Sequence, residues 1–164
     1  MRIRHEYKCA FEESVEVFET PPSAYEARNP TKADAPELAD LMLDSYQGTI
    51  DYDGESIREA IAEVESYFER PDSMPLLPCS FVLLSEGRII SACLISNWVK
   101  RQNPLISYIM TRSSFKGKGL GGMAARMALA GIEAAGYGET YAVVTEGNTP
   151  SERLLLRLGF KKVS

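Results

Sequence analysis

Histidine occurs once, at His5, and cysteine only three times, at Cys9, Cys79 and Cys93, in a chain of 164 residues. Neither their number nor their spacing assembles the usual tetrahedral ligand set, so no metal site is expected. An odd count of scattered thiols also argues against a disulfide framework and for a reducing compartment. No apolar run approaches the roughly 20 residues that span a bilayer, and no charged-then-apolar leader opens the chain. The expectation is a cytoplasmic protein with no membrane partner. At 45% hydrophobic and 25% charged residues, the composition suits one globular domain over 1–164 with a full buried core.

The net charge of −5 hides a division. Residues 34–72 carry twelve acids against Arg58 and Arg70, whereas 100–126 hold six Lys and Arg and no acid. The first stretch suits a cation unless it is merely a solvated helix face, and the second suits an anion. Nucleic acid is not an expected partner, because the overall charge is negative and the basic stretch lacks interleaved aromatics.

Along the chain, residues 1–20 alternate weakly (Ile3, His5, Tyr7; then Val15, Val17), as a pair of short strands would, and Pro21-Pro22 ends this extension, taken as 1–22. A strand over 24–29 precedes Asp34-Ala35-Pro36-Glu37, which reads as an N-cap, a first-turn proline and an acid at the positive end of a helix. That helix carries Leu38, Leu41, Met42 and Tyr46. A second, over 55–69, sets Ile57, Ile61, Val64 and Phe68 at helical spacing, before Pro71, Pro75 and Pro78 break the chain. Three antiparallel strands are expected at 80–84, 88–97 and 105–111, the first two joined by Ser85-Glu86-Gly87. A helix over 120–135, a strand over 140–145, a last helix ending at Gly159 and a short strand from Phe160 complete the order.

Between the third of those strands and the Ala-rich helix lies Lys116-Gly117-Lys118-Gly119-Leu120-Gly121-Gly122. Glycine lets backbone approach a ligand closely, the first-turn N–H groups of a helix point outward, and the lysines add positive charge, so this junction is built for a phosphate. Two phosphate-binding classes do not fit. Gly117-x-Gly119-x-x-Gly122 spells a dinucleotide fingerprint, but too little chain follows for a βαβαβ unit, and no Gly-Lys-Ser/Thr forms a P-loop.

The element order and two motifs resemble the GNAT superfamily of acetyl-CoA-dependent N-acetyltransferases over residues 24–162. The family's loop, Arg/Gln-x-x-Gly-x-Gly/Ala, is similar to 116–121 with Lys116 at its first position; its second motif, an asparagine followed by a helix closing in Gly-Phe, is similar to Asn148 through Gly159-Phe160. The resemblance implies an α+β, three-layer architecture: a mixed, mostly antiparallel twisted sheet flanked by helices, with a V-shaped split between the family's fourth and fifth strands. It further implies acetyl-CoA as co-substrate, its pyrophosphate on N–H groups from Lys116, Gly117, Lys118, Gly119, Leu120, Gly121 and Gly122. The edges of Ile109, Met110 and Thr111 would pair with pantetheine, and Asn148 would lie beside it.

Transfer to an amine needs a base, since an alkyl ammonium has a pKa near ~10.4, and Glu146 and Tyr108 are the candidates. A backbone N–H near Met110 or Thr111 is the expected oxyanion donor. Leu155 stands where family members often carry a tyrosine that protonates the leaving sulfur, with Tyr141 a possible substitute. The acceptor, a small-molecule or peptide amine, is expected against Tyr46, Asp51, Tyr52 and Asp53, unless Asp51 and Asp53 merely form an Asx turn and cap the next helix. The alternative is a catalytically silent acyl-CoA-binding regulator. The chain also offers one short strand after its final helix where the family usually has two, so a homodimer partner or the 1–20 extension is expected to cover the open edge.

Overall fold

The computed structural model describes residues 2–11, 24–70 and 74–163; the expected strand around Val15 and Val17, the Pro21-Pro22 stop and the Pro71 break lie outside them. In chain order the elements are β1 (Arg4–Ala10), β2 (Glu26–Arg28), α1 (Ala35–Tyr46), α2 (Ile57–Glu69), β3 (Phe81–Ser85), β4 (Arg88–Trp98), β5 (Asn103–Thr111), α3 (Leu120–Ala134), β6 (Glu139–Thr145), α4 (Thr149–Arg157) and β7 (Lys161–Lys162).

The strands form one sheet in the order β2-β3-β4-β5-β6-β1-β7. All neighbours are antiparallel except β5 and β6. β4 is buried on both faces, and its alternation, reset by a bulge at Ile90 where the register with β3 shifts, divides the core. Ile89, Ala92 and Leu94 pack beneath α1 and α2, while Ile90, Cys93 and Ile95 pack beneath α3. The resulting helix–sheet–helix layering is the expected α+β sandwich.

The sheet is completed from within the chain. Tyr7 and Cys9 of β1 point into the α3 side of the core, and β1 runs beside β6 in an unbroken register from Arg4↔Thr145 to Ala10↔Glu139. On its other edge it meets β7 at Tyr7↔Lys162 and Lys8↔Lys161. The extension therefore takes the place left by the missing second strand.

Two helices differ from the sequence expectation. The side chain of Asp34 does not cap α1; it is turned back to Arg28 at 2.8 and 2.9 Å and to the Thr31 N–H, where it closes the capping box of the 3-10 turn before the helix. In α2 the cap is Ser56, whose Oγ accepts from the Glu59 N–H while Glu59 accepts from the Ser56 N–H. Asp51 and Asp53 do not cap it. α2 is also rolled about its axis: the buried residues are Ala60, Val64 and Tyr67, and Ile57 is 46% exposed. Tyr67 decides this, because its hydroxyl donates to the Ile95 carbonyl at 2.7 Å and meets Ser80 Oγ at 3.0 Å inside the sheet, a buried polar group that must find partners. At about 100° per residue, a face centred on 60, 64 and 67 brings position 63 to the flank beside β5.

Candidate functional site

The parallel β5–β6 pairing lasts only two rungs, Leu105↔Tyr141 and Ile106↔Ala142. Beyond it, Ser107 is an extra residue in β5, where the β4–β5 register shifts between Leu94/Tyr108 and Ile95/Ile106. Such a bulge bends the strand and ends pairing, and from here β5 and β6 diverge into the expected V. The opening widens into a cleft of about 1260 Å³ walled by α2, the loop before it, β5, β6 and the start of α4.

β5 leaves one backbone edge unpaired on the cleft side. The Arg112 N–H donates to the Ile90 carbonyl of β4; by alternation Met110 faces β4, and Ile109 and Thr111 face the opening. The Thr111 N–H is taken by Ser45 Oγ at 3.0 Å. Of the β5 N–H groups at this point it is that of Ile109, rather than of Met110 or Thr111, that faces the cleft without a partner among the described residues.

Past the end of β5, the Lys116 N–H donates to Ser113 and the Met123 N–H to Gly119. Between them the N–H groups of 117–122 have no acceptor among the described residues, as the first turn of a helix requires. Gly119, the N-cap of α3, has φ 77°, a left-handed conformation that favours glycine. Gly121 allows the first turn to lie against β5: a Cβ there would stand 3.3 Å from Ile109 Cγ2 and 3.3 Å from Thr111 Oγ1. Outward N–H groups with open space beside Gly117 and Gly119 fit a pyrophosphate.

Two acids of the stretch read from sequence as a cation site or a solvated face hold this junction instead. Asp40 accepts from the buried Arg112 guanidinium at 2.9 Å, and Asp44 accepts from the Ser113 N–H and hydroxyl. Although partial burial raises the Asp44 carboxyl, the two Ser113 bonds with nearby Arg112 and Lys116 hold it below its usual range. Lys116 Nζ donates to the Ser45 carbonyl at 2.7 Å, so it fastens the loop to the end of α1. Lys118 lies over the Phe115 ring and leaves its charge at the loop surface. The Asp40 and Asp44 contacts were missed in sequence; the only signal was their i, i+4 spacing on α1 opposite its apolar stripe.

On the other wall, Tyr46, Asp51, Tyr52 and Asp53 all line the cleft. Asp51 accepts from Asn148 Nδ2 at 2.8 Å, and Asn148 Oδ1 accepts from the Ser151 N–H as the N-cap of α4. Asp53 is bridged by both guanidinium nitrogens of Arg2, so this carboxylate already has its cation. Burial first, then the Asp51 and Glu63 charges, pushes the Tyr46 phenol well up.

The two candidate bases fare differently. Glu146 is paired with His5 at 3.0 Å and is not among the cleft-lining residues. Tyr108 lines the cleft, yet burial and then its bond to Glu63 push its phenol far up, so it keeps its proton and is unsuited to accept one. Its hydroxyl donates to Glu63 Oε1 at 2.7 Å. Leu155 is buried and presents only an apolar surface to the cleft. Tyr141 does not substitute for the missing hydroxyl: its OH is bonded to Glu139, outside the cleft lining.

Comparison with known proteins follows the same outline. The family described as "Acetyltransferase (GNAT) domain" matches residues 26–161. No curated protein matches the sequence. A GCN5-related N-acetyltransferase from Sphaerobacter thermophilus superposes with TM-score 0.73 at 14% identity, over 99% of this chain and 49% of that one, so this chain spans about half its length. The ribosomal-protein-S18-alanine N-acetyltransferase of Escherichia coli gives TM-score 0.65 at 14% identity, over 85% and 79% of the two chains. An aminoglycoside N-acetyltransferase solved with CoA gives 0.65 at 16%, over 88% and 92%. At these identities the likeness is one of fold.

Proposed function

Since the chain belongs to the GNAT acetyltransferase family, we propose that it moves an acetyl group from acetyl-CoA to a primary amine by direct attack in a ternary complex. The observation that carries this reading is the coincidence of two features: the V opened by the Ser107 bulge, and the glycine cradle at the far end of the same strand. In this proposal the N–H groups of 117–122, with Lys118 beside them, hold the pyrophosphate. The Ile109 edge pairs with the pantetheine amides, as an added strand would. Ile109 N–H is also the donor for charge developing on the thioester oxygen. Asn148 acts through its cap of α4 and its hold on Asp51.

The acceptor enters between α2 and the 46–53 loop, whose carboxylates favour a cationic amine, small or peptidic. Nucleic acid and membrane are not proposed as partners, and we place the reaction in the cytoplasm, as three free buried thiols suit. The second reading, a silent acyl-CoA binder, is favoured by one observation, the apolar Leu155 where relatives of the family often present a hydroxyl. A thiolate with a pKa near ~8.5 leaves tolerably without help, which keeps the transferase ahead.

The test is thiol release from acetyl-CoA against a panel of primary amines, beside calorimetric titration of CoA. Turnover supports the transferase. Micromolar binding with no turnover supports the silent binder, and no binding overturns the glycine-loop reading.

A further inference from the structure

Five carboxylates line the acceptor side of the cleft: Asp51, Asp53, Glu55, Glu59 and Glu63. All five have a hydrogen-bond partner, and four of the partners belong to the acceptor-side loops, the chain start or α4. Asp51 is held by Asn148, Asp53 by Arg2, Glu55 by the Asp53 N–H and Glu59 by the Ser56 N–H of its own capping box. Glu63 alone is held from β5, by the phenol of Tyr108 next to Ile109, which donates to Oε1 at 2.7 Å. Its other oxygen has no hydrogen-bond partner among the described residues, and the side chain is exposed to the cleft.

The partner is itself fixed. The Tyr108 ring packs edge-on against Tyr67 at 6.2 Å, and Tyr67 is anchored in the sheet through Ser80 and Ile95. Tyr108 also stands between the Ser107 bulge and Ile109, whose N–H faces the opening. One short run of β5 therefore presents an oxyanion donor and, through Tyr108, an oriented carboxylate.

We propose that Glu63 is the general base of the transfer and that Tyr108 is its positioning residue. This rests on the transferase reading above. An acceptor that arrives as an ammonium first loses a proton through the carboxylate to solvent. As the neutral nitrogen bonds to the thioester carbon, the carbonyl electrons move to oxygen, towards the Ile109 N–H. The free oxygen of Glu63 takes the second proton from nitrogen. The carbonyl then re-forms, the C–S bond breaks, the thiolate takes a proton from water, and Glu63 returns its proton to the open cleft. The products are the acetamide and free thiol. Tyr108 keeps its own proton throughout, as its raised phenol requires.

Glu63→Gln keeps the shape and the Tyr108 contact but cannot accept a proton. It should lower kcat on the order of 10²–10⁴-fold, leave the CoA dissociation constant unchanged and remove the acid limb of the kcat/KM profile. Tyr108→Phe should cost less, because the carboxylate remains and only its orientation loosens. CoA titration of each variant shows that it is folded. Wild-type turnover that survives Glu63→Gln with its pH profile intact overturns the role of Glu63 alone, as does a larger loss in Tyr108→Phe than in Glu63→Gln. A wild type that binds CoA and acetylates no amine overturns the transferase reading, and the base with it.

Discussion

The two halves of the sheet are assembled in opposite ways. β3, β4 and β5 follow one another along the chain and pair as a meander, so each contact joins residues close in sequence. β6, β1 and β7 are neighbours drawn from both ends of the chain, with Arg4 opposite Thr145 and Tyr7 opposite Lys162. The split between β5 and β6 is the seam between them. Locally encoded structure supplies one wall of the cleft and long-range pairing the other, and the chemistry proposed here needs both.

Removing residues 2–11 should have the largest effect. It strips β6 and β7 of their shared neighbour and takes Tyr7, Cys9 and Phe11, all under 8% exposed, out of the core. The expected outcome is loss of a cooperative thermal transition. If β1 were a dispensable appendage, the truncated protein would instead melt within a few degrees of the full chain.

A smaller effect isolates the local half. Gly119→Ala adds a methyl group into open space, so its cost is that of a side chain at φ 77°, about 1–2 kcal/mol. If the strained turn relaxes to relieve it, the N–H groups of 117–122 no longer converge. CoA affinity should fall about tenfold, equivalent to about 1.4 kcal/mol, while the acceptor KM is unchanged. An unaltered CoA affinity with a lowered Tm would mean that this turn serves the fold alone.

The smallest effect concerns the clamp across the seam. Glu6 of β1 is held by Lys100 and Arg101 from the β4–β5 turn, and their hydrogen bonds lower its carboxyl below the ordinary value. A folded value below the unfolded one, near ~4.3, gives stability that is fully present above the unfolded value. It is lost as pH falls through the folded one. Glu6→Gln should therefore lower Tm slightly at neutral pH and flatten its decline on the acid side. An identical acid decline in both proteins would rule out this pair as a contributor.

The same seam marks what could be read from sequence. The meander, the helix order and the glycine cradle were legible because turn residues, apolar periodicity and glycine spacing are local signals. The alternation around His5 and Tyr7 announced a strand but not its neighbours, since pairing with residues 139–145 depends on what else could close the sheet. The roll of α2 was hidden because Tyr67 counts as a flank residue until Ser80 and the Ile95 carbonyl are seen beneath it. Glu63 was missed for that reason, and Tyr108 was read as a base rather than as a donor. Glu146 looked well placed at the end of β6, where only the folded chain brings His5 to it.

In the proposed reading, CoA lies along the free edge of β5 and on the glycine cradle. Amide hydrogen exchange with and without CoA tests it directly. Protection should appear in 107–111 and 117–122, with the Ile109 amide among the most slowed, and β1 and β7 should be nearly unchanged. Protection concentrated on β1, β7 or the outer face of α2, with the cradle still exchanging freely, would contradict it.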